Sequence, residues 1–103
     1  MHSNEAYRCR IPTTEALTAM KDLTSGAFKL LIYYYSKSTG WEFKDDEMAD
    51  ALDVSEKRLK ELKKELVDKE YLLILKGVDI DNYFIGRKAV AGWKNPKQEP
   101  LDD

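Results

Sequence analysis

The stretch DDEMADALDVSEKRLKELKKEL, residues 45–66, constrains the fold more than any other part of the chain. Apolar residues recur in it at helical spacing on both sides of a break at Leu52-Asp53-Val54-Ser55. Met48, Ala49 and Leu52 precede the break; Leu59, Leu62 and Leu66 follow it. At about 100° per residue each set forms a single stripe, so each half is an amphipathic helix with one face to bury. A connection this short turns the two helices sharply against each other, and neither is stable without a further element to cover its stripe. Asp45 or Asp46 is expected to cap the first helix, which runs to about Leu52, and Ser55 the second, which runs to about Lys69. Arg58 stands three residues after Ser55, where a capping box needs Glu or Gln, so no full box forms.

The covering elements are legible on either side. Pro12-Thr13-Thr14 signals a helix start, with Ala16, Leu17, Met20 and Leu23 at near-helical spacing, which predicts a helix over 13–22. Thr24 or Ser25 caps a second helix, GAFKLLIYYYSK, apolar on nearly every face and therefore central, with Tyr33, Tyr34 and Tyr35 in the core rather than on a base-stacking surface. Trp41-Glu42-Phe43 alternates and reads as a very short strand. After the second half of the helix pair, YLLIL and IDNYFIG, joined through Lys76-Gly77-Val78-Asp79, read as a β-hairpin. The expected fold class is mainly α with a small antiparallel hairpin, α+β. One domain over 13–93 is flanked by an N-terminal arm, 1–12, and a flexible tail, 94–103, whose prolines and acids leave little to pack.

Composition removes several function classes. With 103 residues, 43% of them apolar, there is room for one core; no apolar run approaches the length of a membrane span, and the N-terminus, with Arg8 and Arg10 but no apolar stretch behind them, does not read as a signal peptide. The single Cys9 cannot form an internal disulfide, and with only His2 beside it there is no zinc cluster, so an intracellular address and no metal are expected. DIDN at 79–82 lacks the later Gly and Glu of a calcium loop. No phosphate loop, activated nucleophile or metal spacing accompanies the acids of 45–50, so neither an enzyme nor a cofactor is expected. The net charge of −2 gives no global basicity, so any nucleic-acid footprint must be local.

In this order the chain resembles the winged-helix family of helix-turn-helix proteins. LTSGAFKLLIYYYSK stands as core helix, WEF as first small strand, DEMADALDVSEKRLKELKKEL as helix-turn-helix and YLLILKGVDIDNYFIG as wing, covering roughly 24–86. More narrowly it looks like modules of phage and plasmid replication initiators and accessory regulators. It departs from them at the exit of the second helix of the pair, where they commonly carry Lys-Gly and this chain has Lys69-Glu70. The resemblance implies a winged helix-turn-helix that places the helix after Ser55 in the major groove of double-stranded DNA. As one short helix reads few base pairs, it further implies either a homodimer or a protein partner already on the DNA.

The residues that would carry this are Ser55, Lys57, Arg58, Lys60, Lys64, Lys76, Arg87 and Lys88. Lys57, Lys60 and Lys64 fall opposite the leucine stripe and can meet phosphates or the O6 and N7 acceptors of guanine; Ser55 is placed for a phosphate or base edge, and Arg58 lies nearer the side of the helix. Lys76 stands near the hairpin tip, and the acid-free segment 86–97, with Arg87, Lys88, Lys94 and Lys97, can follow the groove or pack Val90 and Trp93 on the core. The plain alternative for the lysines is a solvated face with pairs such as Lys57 with Glu61 and Lys60 with Glu56. A second function competes. Residues 42–53 hold six acids against Lys44, a net of −5, which opposes phosphate and suits a protein-interaction module, an accessory subunit or a phage-encoded inhibitor, that binds a basic partner through helix 45–52.

Overall fold

The computed structural model describes residues 11–38 and 40–94; the expected arm up to Arg10, with His2 and Cys9, and the tail from Asn95, with Lys97, lie outside the described residues. The elements are α1 (Thr13–Asp22), α2 (Ser25–Tyr35), α3 (Asp45–Leu52), α4 (Glu56–Asp68), β1 (Leu72–Leu75), β2 (Asn82–Ile85) and α5 (Arg87–Lys94). The fold is thus mainly helical with one two-stranded antiparallel hairpin, an α+β arrangement. Among the described residues no helix is long and apolar enough to cross a membrane.

Helix α2 is the centre of the packing. Thr24 caps it through its side-chain oxygen, which accepts from Ala27 N–H, and Ala27, Leu30, Leu31 and Tyr34 are buried from it. It touches α1, α4 and β2. Leu59, Leu62 and Leu66 of α4 are each at most 1% exposed, and such burial stabilises by about 2 kcal/mol per side chain. The α2–α4 approach is close because Gly26 faces Leu62: a Cβ there would lie 3.0 Å from Leu62 Cδ2. Helix α3 adds Met48 and Ala49 to the same core.

The break between α3 and α4 is a left-handed turn. Asp53 at φ +58° ends α3, its N–H and that of Val54 closing on Ala49 and Asp50 carbonyls, and Ser55 then caps α4 by accepting from Arg58 N–H at 3.0 Å. An Asp tolerates this conformation better than most residues because its short polar side chain suits the αL region. At the other end of α4, Glu70 also adopts a positive φ, +66°, and Tyr71 N–H reaches back to Leu66 O at 2.8 Å. Glycine adopts this geometry most readily, and here the chain accepts it with a side chain.

The hairpin pairs Leu72 with Ile85, Leu73 with Phe84, Ile74 with Tyr83 and Leu75 with Asn82. Ile74, Tyr83 and Ile85 pack toward the α2 core, while Phe84 meets Trp93 of α5 with ring centroids 5.5 Å apart. Covering both faces is what makes two short strands stable, since an isolated hairpin is marginal.

Two expectations are corrected, and two helices gain detail. Trp41-Glu42-Phe43 is not a strand: Trp41 N–H bonds Ser38 O, and Phe43 packs its ring edge-on against Tyr34 at 4.8 Å, so aromatic packing holds the segment without ladder bonds. Neither Asp45 nor Asp46 is the cap of α3. Lys44 occupies the cap position without a side-chain bond, and the acids lie in the first turn, where they oppose the positive end of the helix dipole. In α1 the buried residue is Ala19, followed by Leu23, while Leu17 and Met20 are more than half exposed. The basic segment after the hairpin is a helix, α5, and of its two stated alternatives the packing one is seen at Val90, which is buried.

Candidate nucleic-acid interface

Burial of the leucine stripe fixes which way the rest of α4 points. Lys57, Lys60 and Lys64 are all exposed on the opposite side, and Lys57 and Lys64 are separated by about 10 Å along the axis at 1.5 Å per residue. Lys57 and Lys60 make no ion pair among the described residues. The expected pairs of Lys57 with Glu61 and of Lys60 with Glu56 do not form. Glu61 is taken by Arg58 at 3.0 Å, and Lys64 pairs with Asp68 at 2.8 Å. Both pairs are well exposed, so a phosphate can displace the carboxylate at little cost. Ser55 spends its lone pair on the cap, which leaves its hydroxyl hydrogen for an acceptor.

The remaining cations of α4 serve the fold. Lys63 pairs with Asp45 at the start of α3, tying the two helices together, and Lys69 Nζ donates to Asp22 O at 2.8 Å. Glu65 receives Thr24 N–H and Thr24 Oγ1, both at 2.8 Å, so its carboxylate sits at the N-terminus of α2, where the helix dipole favours it.

The other predicted residues fall elsewhere. Lys76, at the hairpin loop, pairs with Asp81 at 3.3 Å and keeps a side-chain exposure of 82%. Arg87 stands at the start of α5 beside Leu17, Thr18, Lys21 and Asp22 of α1, with its guanidinium carbon 5.4 Å from the Tyr71 ring centre. Its backbone N–H donates to Glu15, whose other oxygen accepts the Tyr35 hydroxyl at 2.8 Å. Arg87 therefore lies with the C-terminal end of α4, a helix length of about 20 Å from Ser55. Lys88 is exposed on α5. The eight residues thus divide into a cluster along α4 from Ser55 to Lys64, a hairpin-tip lysine and a basic corner on α5.

The aromatic residues around Phe43 are a feature that sequence reasoning divided between core and strand. Tyr34, 1% exposed, has its hydroxyl without a hydrogen-bond partner among the described residues, and burial raises its pKa above the ordinary value, with the Tyr83 and Asp45 charges adding to it. Burial also raises Tyr83, with Asp81 and Asp45, and Tyr33, with Glu47. Lys37 Nζ lies 4.9 Å from the Tyr33 ring centre and 4.6 Å from that of Trp41. An isolated Trp after a Gly was the available signal for this cluster. Among the described residues no group of His, Cys, Asp and Glu is placed to hold a metal ion. No family model, curated protein or solved structure matches the chain.

Proposed function

We propose that this protein is a small winged-helix DNA-binding protein, acting as a transcriptional regulator or as a replication or transfer accessory factor of plasmid or phage type. The observation that carries the reading is the outward face of α4. It follows a tight left-handed turn and a serine cap, and among the described residues it presents Lys57 and Lys60 without ion pairs beside a Lys64 held by the exposed Asp68. A helix of this width enters a major groove about 12 Å across, and three lysines over about 10 Å can meet its phosphates and guanine edges. Lys76 then approaches a neighbouring phosphate from the hairpin tip. Arg87, by the C-terminal end of α4, and Lys88 beside it meet phosphates further along a longer or bent duplex.

The test is fluorescence-anisotropy binding to a pool of mixed-sequence duplexes across a salt series, beside the variant Lys57→Ala, Lys60→Ala, Lys64→Ala. Binding that weakens with salt, and whose log–log slope falls by roughly 2.7 in the variant, is expected for three lost phosphate contacts. Absence of binding at low salt, with the circular dichroism of a folded chain, would overturn the reading.

One observation favours a second reading, a module that binds a basic protein. Glu47, Asp50 and Asp53 are exposed on or next to α3 and make no ion pair among the described residues. In that case Asp46→Lys with Asp50→Lys abolishes capture of the partner while the α4 variant does not.

A further inference from the structure

A groove of about 880 Å³ opens between the C-terminal end of α2 with its connection to α3 on one side and the hairpin loop on the other. Ligand and side-chain pockets commonly fall between about 300 and 1,000 Å³. One wall carries Lys37, Trp41 and Glu42; the other carries Asp79, Ile80 and Asp81. Trp41 is 43% exposed and Ile80 69% exposed, large apolar groups facing each other across the rim of the groove.

Two independent features define what such a groove accepts. The first is electrostatic. Three carboxylates line it against one ammonium, and Glu42 and Asp79 make no ion pair among the described residues, so the groove repels phosphate and attracts cations. The second is aromatic. The Trp41 wall already holds an ammonium, since Lys37 Nζ rests 4.6 Å from its ring centre, and a Trp face is the strongest of the side-chain cation–π seats.

We infer that this groove seats an arginine side chain from a basic, partly apolar segment of a protein partner, stacked on Trp41 and hydrogen-bonded to Glu42 and Asp79. A guanidinium fits better than an ammonium because it stacks flat on the indole while its edge donors reach carboxylates on both walls. Ile80, with the fully exposed Val78 beside it, covers the apolar neighbours of that arginine. Asp81 is less available, being bonded to Lys76 and to Gly77 N–H. An incoming guanidinium competes with Lys37 for the indole face. The inference goes beyond DNA binding and uses none of its residues, so the chain would hold duplex on α4 and a basic protein segment at the groove.

The experiment titrates the full chain into a fluorescein-labelled peptide alternating arginine and leucine, its glutamate-leucine counterpart and an oligothymidylate, with nitrogen-15 NMR to locate the contact. Saturable binding of the arginine peptide alone is expected, with shifts at the Trp41 indole, Glu42, Asp79 and Ile80. Glu42→Lys with Asp79→Lys should weaken it at least about tenfold, and Lys37→Met should tighten it. Lys57→Ala, Lys60→Ala, Lys64→Ala should leave the peptide unaffected, and the Glu42, Asp79 variant should leave duplex binding no weaker, so the two readings fail separately. The inference is overturned by any of four results: equal binding of the glutamate peptide, tighter binding of oligothymidylate at Trp41, shifts confined to another surface, or no saturable binding. A folded Glu42, Asp79 variant that binds the arginine peptide as the parent does also overturns it.

Discussion

The two ends of α4 use the same residue types for different purposes. At its C-terminal end, Glu65 holds the start of α2, Lys69 holds the end of α1, and Glu70 carries the chain through a left-handed turn into β1. At its N-terminal half, Lys57 and Lys60 make no ion pair among the described residues. The contrast shows that charge along a helix does not by itself mark a binding face. Charged groups that are bonded to other elements are already committed to the fold, and those facing solvent without partners are the ones free to recognise something else.

The comparison predicts how each end responds to substitution. The largest effect belongs to the part common to both: Leu62→Ala removes a side chain packed on Gly26 and should cost about 3 kcal/mol in urea denaturation. Glu65→Ala strips two short hydrogen bonds from the start of α2 and should cost about 1 to 2 kcal/mol. A cost within experimental error would break the claim that this end is architectural. Glu70→Gly should stabilise by about 1 kcal/mol, because glycine adopts the left-handed conformation freely and the lost pair with Lys94 is an exposed one. The smallest effect is expected at the other end, where Lys57→Ala with Lys60→Ala should shift stability by no more than about 0.5 kcal/mol while it weakens duplex binding.

A pH series sharpens the same division, since the groups with raised pKa are tyrosines of the core and its margin. Tyr34 has a folded-state pKa above its ordinary value of 10.0, chiefly from burial. The unfolded chain therefore releases this proton first. The stability it contributes is complete below about pH 10 and declines as pH rises above it. Tyr34→Phe should flatten that alkaline decline in thermal melts, and it should leave stability at neutral pH unchanged or slightly higher, since the hydroxyl it removes is unpartnered. An unchanged alkaline slope would assign the effect to Tyr33, Tyr71 and Tyr83, which are raised as well.

Much of the helical order was readable because its causes are local. The caps at Thr24 and Ser55, the leucine stripe of α4 and the break at Asp53 depend on residues within a turn or two of one another. One element was misjudged. WEF has the alternation of a strand but no partner strand, so its Phe43 went to the aromatic cluster. The segment after the hairpin leaves two outcomes open in the sequence, following a groove or packing Val90 and Trp93; it is helical, with Val90 buried and Trp93 against Phe84. Glu70 stands at a position where glycine would have announced the turn, and only the observed φ shows that the turn is there.

The sequence alone determined the class of fold, the places of four of the five helices and of the hairpin, and the side of α4 on which Lys57, Lys60 and Lys64 stand, because periodicity and capping are properties of neighbouring residues. Only the tertiary structure decided which charges remain free. Lys63 meets Asp45, Lys69 meets the Asp22 carbonyl and Arg87 lies against Tyr71 because helices distant in sequence dock there. The groove beside Trp41 has the same origin, since its two walls are about forty residues apart in the chain and become walls only when the hairpin packs on α2.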